Sequence, residues 1–84
     1  MSQNQRLTPS MQRMLHDLAE GADLVLGAQL ARALGRKHEA QFARTLLALM
    51  SRHMVVRNDG SLEITAVGQA WVQAHPRVQA MGVA

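Results

Sequence analysis

The chain has 84 residues, a formal net charge of +3 and no cysteine, so we expect one small domain without disulfides or cysteine-based zinc sites. Hydrophobic residues make up 48%, with one Phe, one Trp and no Tyr, which predicts a core of Leu, Val, Ala and Met in helices. There is no apolar run of the ~20 residues that span a bilayer and no apolar secretory signal at the start, so we expect a cytoplasmic protein that does not bind membranes.

The first helix is predicted to follow a flexible polar arm of residues 1–7. Thr8 is a favourable N-cap, and Pro9 fits the first helical position because its missing N–H has no partner there anyway. Gly21 is a natural stop, since glycine adopts the left-handed backbone that ends many helices. The apolar residues of this segment recur at helical spacing and predict a buried stripe, made of Leu7, Met11, Met14, Leu15 and Leu18.

The β-prone segment 23–26 leaves two alternatives open, a brief strand or an extended link. A second helix is predicted over about residues 27–34 and is closed by Gly35. We expect the residues that this helix buries to be Leu30, Ala31 and Leu34.

A third helix is predicted over about residues 38–52. Placing each residue about 100° around the helix axis from the last gives one apolar face, formed by Phe42, Leu46, Leu49 and Met50. The opposite face is polar or small and consists of Lys37, Gln41, Arg44, Ala48 and Ser51. We expect one face to pack and the other to meet solvent or a partner.

After the third helix the apolar period changes to two, which indicates strands. Residues 54–57 and 61–65 are predicted to form a hairpin around the turn Asn58-Asp59-Gly60. Gly60 supplies the left-handed backbone that such turns require.

A fourth helix is predicted over about residues 66–75, with Thr65 as its N-cap. Pro76 ends or kinks this helix, and residues 76–84 form a C-terminal tail. The apolar positions of the helix are Val67, Ala70, Trp71 and Ala74.

Three motifs occur in a fixed order along this pattern. They are Leu30-Ala31-Arg32-Ala33-Leu34-Gly35, the passage Leu46-Leu47-Ala48-Leu49-Met50-Ser51-Arg52-His53-Met54-Val55-Val56-Arg57, and Ile64-Thr65-Ala66-Val67-Gly68. With the element order over residues 8–75, they resemble the winged helix-turn-helix domains of bacterial MarR-like and ArsR-like regulators. The resemblance implies a mainly α fold with a small β-hairpin: a three-helix core, a two-stranded wing and a C-terminal helix.

Two departures from the family pattern bear on docking geometry. His53 stands where those regulators have a glycine that ends the third helix in left-handed backbone, which His tolerates less well than Gly. The connection from Gly35 to Phe42 is about one residue longer than usual. We therefore expect the turn Arg36–Glu39 to alter the angle between the second and third helices.

The resemblance implies DNA binding by the third helix in the major groove, as in a bacterial or phage transcription regulator. Gln41 can pair with adenine and Arg44 with guanine, while the small Ala48 allows close approach. Cations near the helix ends and on the wing could contact phosphates. The predicted DNA-binding residues are Arg36, Lys37, Gln41, Arg44, Thr45, Ala48, Arg52, Arg57 and Asn58.

The wing favours a second possibility, a protein–protein interaction module such as a phage or accessory factor that binds a host protein. Asp59 and Glu63 would repel a phosphate backbone, and the hairpin is short, so we expect the wing to contribute little to DNA contact. Specific DNA binding usually requires a two-fold dimer. A possible homodimer is predicted through the spare apolar residues Leu47, Val78 and Met81, and through Trp71, for which packing in the core is the first expectation.

Catalysis, a metal and a cofactor are not expected. The four histidines have no i, i+4 pairing, and we expect them at the surface or at helix ends: His16, His38, His53 and His75. The acids form no recognisable catalytic pair, and the six glycines form no phosphate-binding loop. The sequence therefore predicts a binding protein rather than an enzyme.

Overall fold

The computed structural model describes residues 6–77, which form four α-helices and a two-stranded antiparallel sheet. The elements are α1 (Pro9–Ala19), α2 (Leu24–Leu34), α3 (Arg36–Ser51), β1 (Val55–Asn58), β2 (Ser61–Ile64) and α4 (Ala66–Ala74). This is the predicted fold: three packed helices, a hairpin wing and a C-terminal helix. Within residues 6–77 no helix is both long and apolar enough to cross a bilayer. Residues 1–5 of the arm, and Val78 and Met81, lie outside the described range.

The core joins α1 to α3, and the predicted α1 stripe is confirmed. Leu15 of α1 and Leu49 of α3 are completely buried. Leu7 is only 3% exposed, so the core begins within the segment predicted as an arm. Thr8 caps α1 as predicted, since its Oγ1 accepts a hydrogen bond from the Met11 backbone N at 3.2 Å. The helix is therefore secured at its start by both burial and a cap.

Neither alternative for residues 23–26 is correct, because α2 begins at Leu24. Asp23 is its N-cap, and one carboxylate oxygen accepts from the backbone N of Val25 at 3.0 Å and of Leu26 at 3.1 Å. These bonds satisfy two of the N–H groups that a helix start leaves without partners. The cap outweighs the β propensity of the apolar run that follows it.

The predicted turn between the second and third helices is also wrong. Gly35 alone separates α2 from α3, with φ 130° and ψ 167°. Arg36 is already helical, so residues 36–39 are the first turn of α3 rather than a connection. The positive φ explains why glycine stands at this single-residue joint.

The buried face of α2 differs from the prediction. Ala31 is buried, but Leu30 and Leu34 are 59% and 69% exposed. The face that packs runs instead through Leu24 and Gly27, and Gly27 lets the Phe42 ring approach to 3.1 Å from where a Cβ would lie. Leu30 lies about 100° around the helix axis from the buried Ala31, so its side chain points away from α3.

The wing, meaning the β1–β2 hairpin, lies within one residue of its predicted bounds. Val55 pairs with Ile64 and Asn58 with Ser61. Asp59 and Gly60 form the two-residue loop, with φ of 55° and 87°. Positive φ at both positions is the backbone of a type I′ turn, which matches strand twist.

Thr65 ties α4 to the end of α3. Its hydroxyl accepts from the Gly68 backbone N at 3.1 Å, as predicted for an N-cap, and donates to the His53 carbonyl. His53 adopts φ 61°, the left-handed conformation expected there. A Cβ at Gly68 would lie 2.5 Å from the Met54 carbonyl oxygen. The Ile64–Gly68 motif thus provides a cap and a close helix contact together.

An aromatic cluster joins α4 to α1. His16 lies in the last turn of α1, in agreement with the predicted helix-end position, and is buried. Its ring meets Trp71 edge-on at 5.6 Å between centroids. The His75 ring stacks on Trp71 at 4.2 Å between centroids. Trp71 therefore packs mainly within the molecule, while the exposed His38 and His53 agree with the prediction.

Arg77 attaches the end of the described chain to α1. Its guanidinium contacts the Asp17 carboxylate at 2.7 Å and the Glu20 carboxylate at 3.2 Å. The hydrogen bond to Asp17 is the main reason that the pKa of Arg77 lies above its ordinary value. Arg77 consequently remains charged throughout the pH range in which the protein would be studied.

Candidate nucleic-acid interface

Helix α3 is oriented by its apolar face. Leu46 and Leu49 are buried in the core, and Phe42 and Met50 are partly buried against it, as predicted. Since side chains at three- and four-residue spacing share a face, the opposite side of the helix is turned to solvent. That outward side of α3 is the candidate interface.

Three of the predicted DNA-contacting residues lie together on this outward side, Gln41 and Arg44 predicted for bases and Lys37 for phosphate. Lys37, Gln41 and Arg44 are all exposed, and helical geometry sets them within an arc of about 60°. Arg36 is exposed at the first turn of the helix. Leu47, 62% exposed, adjoins Arg44 on the same side. The surface is therefore cationic with an apolar neighbour.

The single acid of α3 does not reduce this positive charge. Glu39 is half-buried and contacts the Nε of Arg32 on α2 at 3.5 Å. Arg32 offsets its charge at the side of α3 that faces α2. Because no other acid occurs between Arg36 and Ser51, the outward side of α3 presents only positive charge.

Three residues of the predicted set are engaged within α3 itself. Thr45 is buried, and its hydroxyl donates to the Gln41 carbonyl at 3.0 Å. Ala48 is half-buried against the core, and its carbonyl accepts from an Arg52 guanidinium nitrogen at 3.0 Å. These residues support the helix, while the neighbouring exposed side chains form its outer surface.

The wing carries mixed charge. Arg57 and Asn58 are exposed, but the Asn58 side-chain amide lies 3.4 Å and 3.5 Å from the two carboxylate oxygens of Glu63. The Ser61 hydroxyl also approaches Glu63, at 3.3 Å. Arg57 is thus the one cation of a hairpin that also presents Asp59 and Glu63 to solvent.

A groove of about 290 Å³ lies beside this surface, between α1, α2 and α3. Met14, Leu34 and Phe42 contribute apolar side chains to it, and Arg13 and Gln41 contribute polar ones. Arg13 was not among the sequence-predicted site residues. The helical pattern of the sequence indicates an exposed position for Arg13 on α1. Whether Arg13 lies near Gln41 depends on how α1 packs against α3, and no local sequence pattern determines that packing.

Among residues 6–77, no three His, Asp or Glu side chains lie close enough together to hold a metal ion. The sequence contains no cysteine.

Comparisons with protein-family models, with curated proteins and with solved structures find no match to this chain.

Proposed function

We propose that the protein binds double-stranded DNA, with α3 in the major groove, as a winged helix-turn-helix transcription regulator of bacterial or phage type. The observation that carries the proposal is the outward side of α3, where Arg36, Lys37 and Arg44 are exposed and the only acid, Glu39, faces Arg32. An α-helix fits the width of the major groove, and cations without neighbouring acids attract phosphates.

The exposed residues divide into two roles. Gln41 and Arg44 read base edges, since their amide and guanidinium groups can form paired hydrogen bonds with adenine and guanine. Leu47, next to Arg44, can contact a thymine methyl group. Arg36 and Lys37 at the helix start hold the phosphate backbone and set the register.

Fluorescence anisotropy with a labelled mixed-sequence duplex tests this role. We expect binding at about 50 mM salt, where phosphate contacts are strong. Arg44→Ala weakens binding by about tenfold and changes sequence preference, because a paired guanine contact is worth ~1–3 kcal/mol. Gln73→Glu on the exposed side of α4 lowers the net charge by one, as R44A does, and serves as the matched control.

Two results would contradict the proposal. One is equal loss of affinity in R44A and Q73E, which would mean that only overall charge matters. The other is no binding at about 50 mM salt, where even non-specific DNA affinity is measurable.

The second candidate is a protein–protein interaction module. It is favoured by the acids on the wing, Asp59 and Glu63, and by the exposed leucines on α2. Absence of DNA binding in the same anisotropy experiment would favour this candidate. Its surface would then be sought on the wing and on α2 rather than on α3.

A further inference from the structure

Helix α2 exposes a row of three leucines that no other part of the described chain covers. Leu26, Leu30 and Leu34 are 50%, 59% and 69% exposed and follow one another at four-residue spacing. The one charged residue of α2, Arg32, lies about 160° around the axis from Leu30. The α2 leucine row is therefore uncharged and continuous, a feature that marks interaction sites on small domains.

We propose that the α2 leucine row is the contact surface for a second copy of this chain. The two α2 helices run antiparallel about a two-fold axis at Leu30. The row is symmetric about that residue, because Leu26 and Leu34 lie four positions on either side of it. A two-fold rotation places Leu30 of one copy against Leu30 of the other, and Leu26 of each copy against Leu34 of the other. This is the self-complementarity that such dimers need.

The charges at the ends of α2 select this antiparallel pairing. Asp23 is exposed at the N-terminal end, and Arg36 is exposed just beyond Gly35 at the other end. In the antiparallel dimer each Asp23 faces the end that carries Arg36 in the second copy, and the helix dipoles are opposed as well. A parallel pairing would instead set like charges together at both ends. A second copy therefore supplies both an apolar row to cover the three leucines and an opposite charge at each end of α2.

The groove beside α2 provides room for one leucine of the second copy. Leu34 lines the groove of about 290 Å³ together with Met14 and Phe42. Since Leu26 of the second copy lies opposite Leu34, its side chain packs at the mouth of this groove. The exposed Ala33 between the leucines is small and allows the two helices to approach.

Site-specific cross-linking tests the axis, because the chain has no natural cysteine. Under mild oxidation Leu30→Cys should form a disulfide dimer at least about tenfold faster than Leu47→Cys, since a residue on the axis meets its own copy within disulfide distance. A mixture of L26C and L34C should form the mixed dimer, while each variant alone reacts slowly. Equal rates for L30C and L47C, or faster reaction of L26C with itself than with L34C, would overturn the proposed pairing.

Sedimentation equilibrium without DNA provides the second test. Wild type should approach twice the 9.2 kDa chain mass as its concentration rises to about 0.5 mM, because small interfaces have weak affinity. Leu30→Glu should raise the dissociation constant at least about tenfold, since two carboxylates would meet at the axis. Leu47→Glu, at an equally exposed leucine, should not. The inference would be overturned if the wild-type chain stays monomeric, or if L47E but not L30E weakens the dimer. Either result would leave the proposed DNA binding unaffected, because that is tested separately by anisotropy.

Discussion

Gly68 lies where α4 passes closest to the loop between α3 and β1. A Cβ there would be 2.5 Å from the Met54 carbonyl oxygen and 2.8 Å from a side-chain carbon of Ile64. The first of these contacts is with backbone, which cannot rotate away. The glycine is therefore required by close approach rather than by unusual backbone torsion.

We predict that Gly68→Ala lowers the free energy of unfolding by about 1 kcal/mol. Overpacking a well-filled site costs ~1–3 kcal/mol, which outweighs the helix propensity of about 1 kcal/mol that Ala gains over Gly. Urea denaturation followed by circular dichroism measures the change. Gly27→Ala is the comparison and should cost less, because its Cβ would meet the Phe42 ring at 3.1 Å and a side chain can shift where backbone cannot. An equally or more stable G68A would contradict the close contact.

At the residue scale, short motifs were the most informative part of the sequence. Thr8 and Thr65 were identified as N-caps from their positions before helical patterns, and both make the expected hydrogen bonds. His53 was expected in left-handed backbone from the motif around it, and its φ is 61°. These features depend on a few neighbouring residues, so the sequence carries them locally.

At the element scale, α2 is where local patterns gave the wrong answer. The run Leu24-Val25-Leu26 is β-prone by composition, but the Asp23 cap starts a helix there. The choice of buried face also failed, because Leu30 and Leu34 form as apolar a face as Leu24 and Ala31. The structure buries Leu24 and Ala31 and packs the Phe42 ring on Gly27, and such contacts join residues of two different helices.

We predict that Asp23→Ala lowers the free energy of unfolding by about 1 kcal/mol, the usual loss when a helix N-cap is removed. Its carboxylate accepts from two backbone N–H groups, and alanine would leave both to water. Asp23→Ser should recover most of the stability, since its hydroxyl can also cap. Thermal unfolding of the three proteins compares them. An unchanged midpoint in D23A would contradict a stabilising role for the Asp23 cap.

At the scale of the whole molecule, the distribution of charge matters more than its sum. The net charge of +3 is small, and three acids are already matched by nearby cations: Asp17 and Glu20 by Arg77, and Glu39 by Arg32. Composition could not reveal this pairing, because Asp17 and Arg77 are 60 residues apart in sequence. The outward side of α3 is consequently more positive than the net charge indicates.

This distribution predicts the salt dependence of DNA binding. If Arg36 and Lys37 each neutralise one phosphate, the logarithm of the affinity should fall with the logarithm of salt at a slope of about −1.8, or about tenfold between about 50 and 200 mM. Anisotropy titrations across that range measure the slope.

Arg57→Ala should make this slope shallower by about 0.9 if the wing contacts DNA. The acidic neighbours Asp59 and Glu63 oppose that contact, so we expect a smaller change. Lys37→Ala should give the full change, because its surroundings on α3 hold no opposing acid. A wild-type slope shallower than about −1 would contradict phosphate contact by α3, whatever the affinity at low salt.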